Sequence, residues 1–383
     1  MRAERVKRVR ILTAVCALTA VCAIAASDDI ARFDPRMAVE KAVVDTNGVK
    51  WIDGRYLPLE GRAFDDTEHY YDRLPANVTT NVNAGVRSMK HHTSGMMFRF
   101  VTTSKHLHFR WVPYRDKLEM YHMPSTGVSA IDVYRQTPEG KWVYTNARSK
   151  MDPKGCTCDF GWTPGTPCLV NLPLYNGVKE FRLGIDRDAT VSALPPRKSG
   201  VDKPVVFYGT SITHGGCSSR PGLGFVNIVG RDLDVPVVNL GFSGSGVMEF
   251  EMSEHLARID ASCYVLDCLW NMRLREHERP GRAVETNYEP FIRNLRAKRP
   301  GVPIVMAEQC DVFCRGPNEK DVFMRKLYEK LVAEGWKDLV YLPKDGMYSG
   351  DLEGTVDGTH PNDLGMMSMA KAFGKAVRKA LGL

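Results

Sequence analysis

The sequence lacks an apolar run suited to crossing a bilayer. Its uncharged stretch from Ile11 to Ala26 is too short and too alanine-rich for a spanning helix, which needs about 20 apolar residues. It also lacks a surplus of charge. The first 25 positions hold five of the 52 basic and one of the 45 acidic residues, so without them the net charge falls from +7 to +3. A surface that close to neutral offers no electrostatic footprint for nucleic acid. The cysteines complete no metal pattern either. Cys156-Thr-Cys158 with Cys168, and Cys310-x-x-x-Cys314, fit no closed four-ligand zinc spacing. One or two disulfides are expected instead, with Cys310–Cys314 a local candidate, while Cys263 and Cys268 are expected to pack in the core. His91, His92, His106 and His108 read as strand-region residues facing solvent rather than as metal ligands.

What is present begins with Arg2, Arg5, Lys7, Arg8 and Arg10 ahead of the apolar stretch, and Ala23-Ile24-Ala25 ahead of Asp28-Asp29. This is the pattern of a secretory signal peptide over residues 1–26, which implies a secreted or periplasmic protein with no membrane span after cleavage. Val21 stands before Cys22 where a lipobox wants a small residue, so lipidation is not expected.

Residues 28–197 read as β-structure. Met97–Thr103, His106–Val112 and Ala130–Tyr134 alternate polar and apolar residues, and Gly, Pro, Asn and Asp separate them, which indicates a sandwich or jelly roll. Trp51, Trp111 and Trp142 are core residues or sugar-binding aromatics. Leu194-Pro-Pro-Arg-Lys-Ser-Gly200 is a stiff polar boundary. Beyond it, residues 201–383 alternate strand and helix. Strands are predicted at 204–208, 236–240, 262–267, 302–307 and 339–342, and helices at 222–233, 253–260, 285–299, 318–335 and 362–381. Five apolar strands joined by helices predict an α/β fold with a three-layer parallel sheet.

The chemistry gathers at strand ends. Val205-Val-Phe-Tyr208 is a buried strand, Gly209 permits a tight turn, and Ser211 follows where strand gives way to helix. A serine there is lifted out at the carboxyl end of a strand, and it can also serve merely as an N-cap. Asp357-Gly-Thr-His360 places a carboxylate three residues before an imidazole, the pair that a serine nucleophile needs. Asn239–Gly244 ends a second strand in glycines and Leu266–Met272 ends a third in an asparagine. Gly244 N–H and the Asn271 amide are suitable oxyanion donors. Cys217 is a rival nucleophile, but nothing near it in sequence would lower its pKa.

These four stretches, in this order, resemble the SGNH (GDSL-type) hydrolase superfamily. Gly209-Thr-Ser211-Ile-Thr213 stands where many members have Gly-Asp-Ser-Leu, Gly244 and Asn271 match the next two blocks, and Asp357-x-x-His360 matches the last. Met272 departs from the Asp that many relatives carry. The run Tyr208–Gly222, with Asp267–Met272, resembles bacterial two-domain esterases whose N-terminal β-domain precedes the hydrolase. Ser129-Ala-Ile-Asp132-Val-Tyr134 and Leu172–Gly177 resemble motifs of that first domain. The resemblance implies a flavodoxin-like strand order 2-1-3-4-5. It also implies a Ser211–His360–Asp357 triad, an oxyanion hole of Ser211, Gly244 and Asn271, and neither metal nor organic cofactor. The implied activity is hydrolysis of short-chain acyl esters, O-acetyl first, on a carbohydrate or a small acylated molecule. A lipid esterase or thioesterase, and an inactive carbohydrate-binding protein, remain open. Trp270 and Arg220 are candidates to line the substrate pocket, with Phe242 closing it. The sequence says nothing of oligomeric state.

Overall fold

The computed structural model describes residues 42–383 apart from 80, 147 and 311–315. The signal-peptide reading of residues 1–26 therefore falls outside the described residues, as does Cys314, the second member of the expected Cys310–Cys314 pair.

The N-terminal part carries strands β1 (Ala42–Val44), β2 (Val49–Asp53), β3 (Leu59–Glu60), β4 (Met97–Thr102), β5 (His106–Pro113), β6 (Asp132–Gln136), β7 (Trp142–Asn146), β8 (Cys156–Gly161), β9 (Pro167–Asn171), β10 (Val178–Asp186) and β11 (Val191–Ala193). They form two antiparallel sheets, ordered β1-β2-β10-β5-β8 and β11-β4-β9-β6-β7, with β3 beside β4. The period of two is plain in β5. Leu107, Phe109 and Trp111 are buried, while His106, His108 and Arg110 alternate with them toward solvent. Both sheets contribute to one apolar cluster that includes Phe98, Phe100, Phe109, Trp111, Val133, Val170 and Phe181. Trp111 is thus a core residue. Cys156, Cys158 and Cys168 pack there as free thiols, as do Cys217, Cys263 and Cys268 elsewhere. The expected disulfides do not form among these six; all are buried, and five of them pack in the apolar clusters.

The C-terminal part holds a parallel sheet of β12 (Val205–Gly209), β13 (Val237–Gly241), β14 (Cys263–Asp267), β15 (Ile304–Ala307) and β16 (Leu339–Leu342), in the order β13-β12-β14-β15-β16. By rank along the chain this is 2-1-3-4-5, the order the family resemblance implied. Every residue of β12, β13 and β14 is buried, as a sheet covered on both faces requires. Alternate residues face different clusters. Val206, Tyr208, Val238 and Leu266 pack with the helices Phe250–Ala257, Val284–Lys298 and Glu319–Ala333. Val205, Phe207, Val237 and Val265 pack with the helices Phe225–Leu233 and Asp363–Leu381.

The apolar cores do not divide cleanly at the Pro-Pro boundary. Phe64, Leu74, Val78, Val82 and Val86, all N-terminal to it, lie in the cluster of the parallel sheet. Arg73 is fully buried there. Its guanidinium donates to the carbonyls of Asn239 (3.1 Å), Gly241 (2.8 Å) and Met89 (2.8 Å) and lies over the Phe242 ring. Burial lowers its pKa to about 9. Two carbonyls of β13, the edge strand of the sheet, are thereby satisfied by a cation from the other half of the chain.

Candidate active site

Strand register brings the site together. Gly209 is level with Gly241 on one side and with Asp267 on the other. The loops after three adjacent parallel strands therefore leave the sheet side by side at its carboxyl edge, where open α/β sheets place their sites. Ser211, Gly244 and Asn271 sit on these three loops.

The first loop is tightly built. A Cβ on Gly209 would meet Thr213 Oγ1 at 2.0 Å and the Asp267 carbonyl at 2.7 Å. The Thr210 hydroxyl accepts from Ile212 N at 3.2 Å, and one short helical turn, Ser211–His214, follows. Ser211 is thus held at the first position of that turn, and the capping role, the alternative reading of Ser211, falls to Thr210.

The last loop supplies the partners. His360 Nε2 lies 2.9 Å from Ser211 Oγ, and His360 Nδ1 lies 2.8 Å from Asp357 Oδ2. The other carboxylate oxygen, Asp357 Oδ1, accepts from the N–H groups of Thr359 (3.0 Å) and His360 (2.8 Å). Burial alone would raise this carboxyl; the hydrogen bonds from His360 and Thr359 outweigh it and hold the pKa below the ordinary aspartate value. An ionised Asp357 fixes the proton of His360 on Nδ1, which leaves Nε2 free to accept from Ser211. The spacing of three residues lets one side chain fold the loop and orient the ring.

Gly244 has φ of +64°, and a Cβ there would meet nothing within 4 Å, so its backbone faces open space. Among the described residues the N–H groups of Ser211 and Gly244 donate to no other protein group. The Asn271 amide is steadied by long contacts to the carbonyls of Phe242 (3.4 Å) and Gly246 (3.3 Å). Ser211, Ser243, Gly244, Trp270, Asn271 and His360 line one cavity of about 310 Å³, together with Arg273, Arg279 and Thr359. A larger cleft of about 630 Å³ lies in the N-terminal part and is lined by Ile52, Tyr56, Pro58 and Val191 among others, away from these groups.

Two expectations need correcting. Arg220 does not line the cavity. Its guanidinium pairs with Asp132 at 2.7 Å, contacts the Tyr134 hydroxyl and lies 3.9 Å from the Tyr144 ring centroid. The buried Asp132 carboxylate claims it, and that carboxylate lies 88 positions away in sequence. Phe242 does not close the cavity either, because it is fully buried under Arg73. Trp270 does line it, with its body against the apolar cluster of the sheet. Cys217 is buried, and burial followed by the Asp357 charge pushes its thiol up to about 12, which leaves almost no thiolate to rival Ser211.

Residues of the N-terminal part that sequence reasoning missed reach the site. Tyr175 donates from its hydroxyl to the Ser211 carbonyl at 2.9 Å and stacks on His214 at 4.1 Å. Ser94 donates to the His214 carbonyl at 2.7 Å, and the His92 ring meets His214 at 3.2 Å. His122 stands edge-on to His360, 5.5 Å between ring centroids, and carries the exposed Tyr121 stacked on it at 4.1 Å. Burial, then the neighbouring His360, lowers the His122 pKa.

Among the described residues, two groups have the donor atoms a metal would want. His122, Cys217 and His360 each offer an atom within 4.8 Å of the others, as do Glu68, His69, Asp72 and His91. Both ring nitrogens of His360 already serve Asp357 and Ser211, and the Cys217 thiol holds its proton. In the second group Asp72 accepts from His91, and Glu68 pairs with Lys90. The outward-facing His106 and His108 contact Asp186 and Asp159. No helix among the described residues is long and apolar enough to cross a membrane.

Comparison with known proteins agrees with this geometry. Residues 202–378 match the GDSL-like lipase/acylhydrolase family, and residues 49–191 match GxDLY, the N-terminus of Esterase_SGNH_hydro-type. A GDSL-like lipase assignment accompanies a crystal structure from Bacteroides ovatus that is 27% identical, with a TM-score of 0.74, over 87% of this chain and 98% of that one. The salicylyl-acyltransferase SsfX3 of a tetracycline biosynthetic pathway is 17% identical with a TM-score of 0.68, over 88% of this chain and 99% of its own. A family two carbohydrate esterase from Clostridium thermocellum, solved with cellohexaose, is 14% identical with a TM-score of 0.50, over 76% and 93%. The last two share the fold. None of the curated proteins matches the chain. The chain belongs to the SGNH (GDSL-type) hydrolases and is a hydrolase of the esterase kind.

Proposed function

We propose that this SGNH-type hydrolase is an exported serine esterase that removes short acyl groups, O-acetyl first, from carbohydrate. Ser211 Oγ attacks the ester carbonyl as His360 Nε2 takes its proton. Asp357 holds the imidazolium that forms. The N–H groups of Ser211 and Gly244 and the Asn271 amide receive the oxyanion. The tetrahedral intermediate collapses as His360 protonates the leaving alcohol. Water, deprotonated by His360, then attacks the acyl-serine, and the carboxylic acid leaves Ser211 with its proton restored.

The observation that carries the substrate reading is the lining of the cavity. It is Ser, Gly, Asn, Thr, His and Arg, with Trp270 as its one large apolar wall. Each methylene of a long acyl chain would want about 0.8 kcal/mol of burial, and the described lining offers no apolar channel for it. The carbohydrate reading is supported by Tyr121, 93% exposed on a ring that touches His360, as a platform for the apolar face of a sugar. Precedent comes from the same fold in the cellohexaose-bound esterase, which at 14% identity lends the fold alone. The basic start and apolar stretch of residues 1–26 support export to the periplasm or outside the cell. The domains proposed are a β-sandwich over 28–197 and a three-layer flavodoxin-like catalytic unit over 201–383. The partner is an acylated sugar or polysaccharide, and nucleic acid is not one.

An acyl series tests this. With acetyl, butyryl and octanoyl nitrophenyl esters, kcat/KM should fall in that order, and Trp270→Ala should flatten the fall. An octanoyl preference in the unmutated enzyme would replace this reading with a lipid esterase. Retention on immobilised polysaccharide with no ester cleaved would replace it with a binding protein.

A further inference from the structure

The cavity is cationic on one side. Arg273 and Arg279 line it, and no carboxylate is among its lining residues as far as these are described. Among the described residues neither guanidinium is within ion-pair or hydrogen-bond distance of an acidic side chain. Several other arginines of the chain are engaged by carboxylates: Arg293 by Glu289 and Glu334, Arg325 by Glu308, Arg258 by Asp66. The two glutamates of the same loop do not answer the pair. Glu276 accepts from Gly281 N and Thr286 Oγ1, and Glu278 is exposed with no ion-pair partner among the described residues. A third guanidinium, Arg282, donates to the Gly244 carbonyl at 2.5 Å and so ties this loop to the oxyanion loop. Lys320 donates to the carbonyls of Leu269 (2.6 Å) and Met272 (3.1 Å), which brings positive charge to the turn that carries Trp270 and Asn271.

Unpaired cations at a cavity mouth focus potential into it and favour an anion there. The guanidinium fork matches a carboxylate in both shape and charge. Because the pair shares the cavity with Ser211 and His360, the anion it selects must be on the molecule whose ester is cleaved. We propose that Arg273 and Arg279 form a carboxylate subsite, so that the preferred substrate is an ester on or beside a uronic acid. This rests on the reading of the chain as a carbohydrate esterase, and it adds the class of sugar.

The test compares kcat/KM within each of two pairs of acetyl esters. One pair is acetylated methyl glucuronide against acetylated methyl glucoside. The other is 3-acetoxybenzoate against phenyl acetate, which carries the same charge contrast without a sugar. In the unmutated enzyme the anionic member should be favoured by about tenfold at low salt, and the preference should shrink as sodium chloride is raised to about 0.5 M, where screening is short-ranged. In Arg273→Gln/Arg279→Gln the ratio should fall to about one. Each ratio is taken within one enzyme, so a general loss of activity cancels. If the double variant fails to fold, the salt titration and Arg279→Gln alone decide. Equal rates for both members of both pairs, or a preference that survives both salt and substitution, would overturn the subsite. A salt- and arginine-dependent preference seen only with the aryl pair, with neither sugar cleaved, would uphold the subsite and overturn the carbohydrate reading.

Discussion

Tyr175 donates its phenolic hydrogen to the backbone carbonyl of Ser211 at 2.9 Å, across the boundary between the β-rich half of the chain and the parallel sheet. Burial raises the phenol pKa, so it keeps the proton it donates. The nucleophile turn is therefore braced from outside its own fold, by Tyr175, Ser94 and His92 together.

Tyr175→Phe removes one hydrogen bond and leaves the stacked ring. A single such bond is worth about 0.5–1.5 kcal/mol. The expected result is a three- to tenfold fall in kcat with KM little changed and a melting temperature lowered by only a few degrees. A large loss of stability with normal kcat would make Tyr175 a packing residue only.

Asn271→Ala should cost about 3–4 kcal/mol of transition-state stabilisation, a hundred- to thousandfold fall in kcat, if the amide turns to the oxyanion during the reaction. Its long contacts to Phe242 and Gly246 carbonyls leave it free to do so. A change confined to KM would assign it to ground-state binding.

Asp267 gives a pH signature. Burial lifts its carboxyl from 3.8 to about 7, with partial relief from the Thr213 hydroxyl at 2.7 Å. The folded chain thus holds this proton more tightly than the unfolded chain. The stability it contributes is full below about pH 4 and is lost as pH rises through about 7. Asp267→Asn cannot titrate there. Melting temperatures from pH 4 to 8 should show the unmutated protein losing ground to the variant, by on the order of 3–4 kcal/mol at the top of the range. Parallel curves would place the carboxyl in a more polar setting.

Much of this was legible from residues alone. Ser211, Gly244 and Asn271 each follow an apolar strand, which the residues alone show; the order 2-1-3 that brings those strand ends together came only from the family resemblance. Asp357 and His360 are local in sequence, so their pairing needed no tertiary knowledge. Arg220 was misread because the carboxylate that claims it, Asp132, belongs to the other half of the chain. His122 and Tyr175 were invisible for the same reason, since no periodicity marks a loop residue that another fold receives. The segment from Phe64 to Val86 reads as part of the β-rich half, yet its side chains bury against the parallel sheet, where the apolar surface is. Arg273 and Arg279 carry no motif at all; what sets them apart is their place on the cavity with no ion-pair partner among the described residues.

The central claim is that Ser211 forms the acyl-enzyme. The most direct measurement is to treat the folded protein with a serine-reactive phosphonate ester and locate the adduct by peptide mass spectrometry, alongside the acetyl-esterase activity of Ser211→Ala. A single adduct on Ser211, with kcat in Ser211→Ala lowered by about a thousandfold or more and the fold unchanged, is the predicted result. Acetyl-ester hydrolysis that persists in Ser211→Ala and is abolished in Cys217→Ala would contradict it.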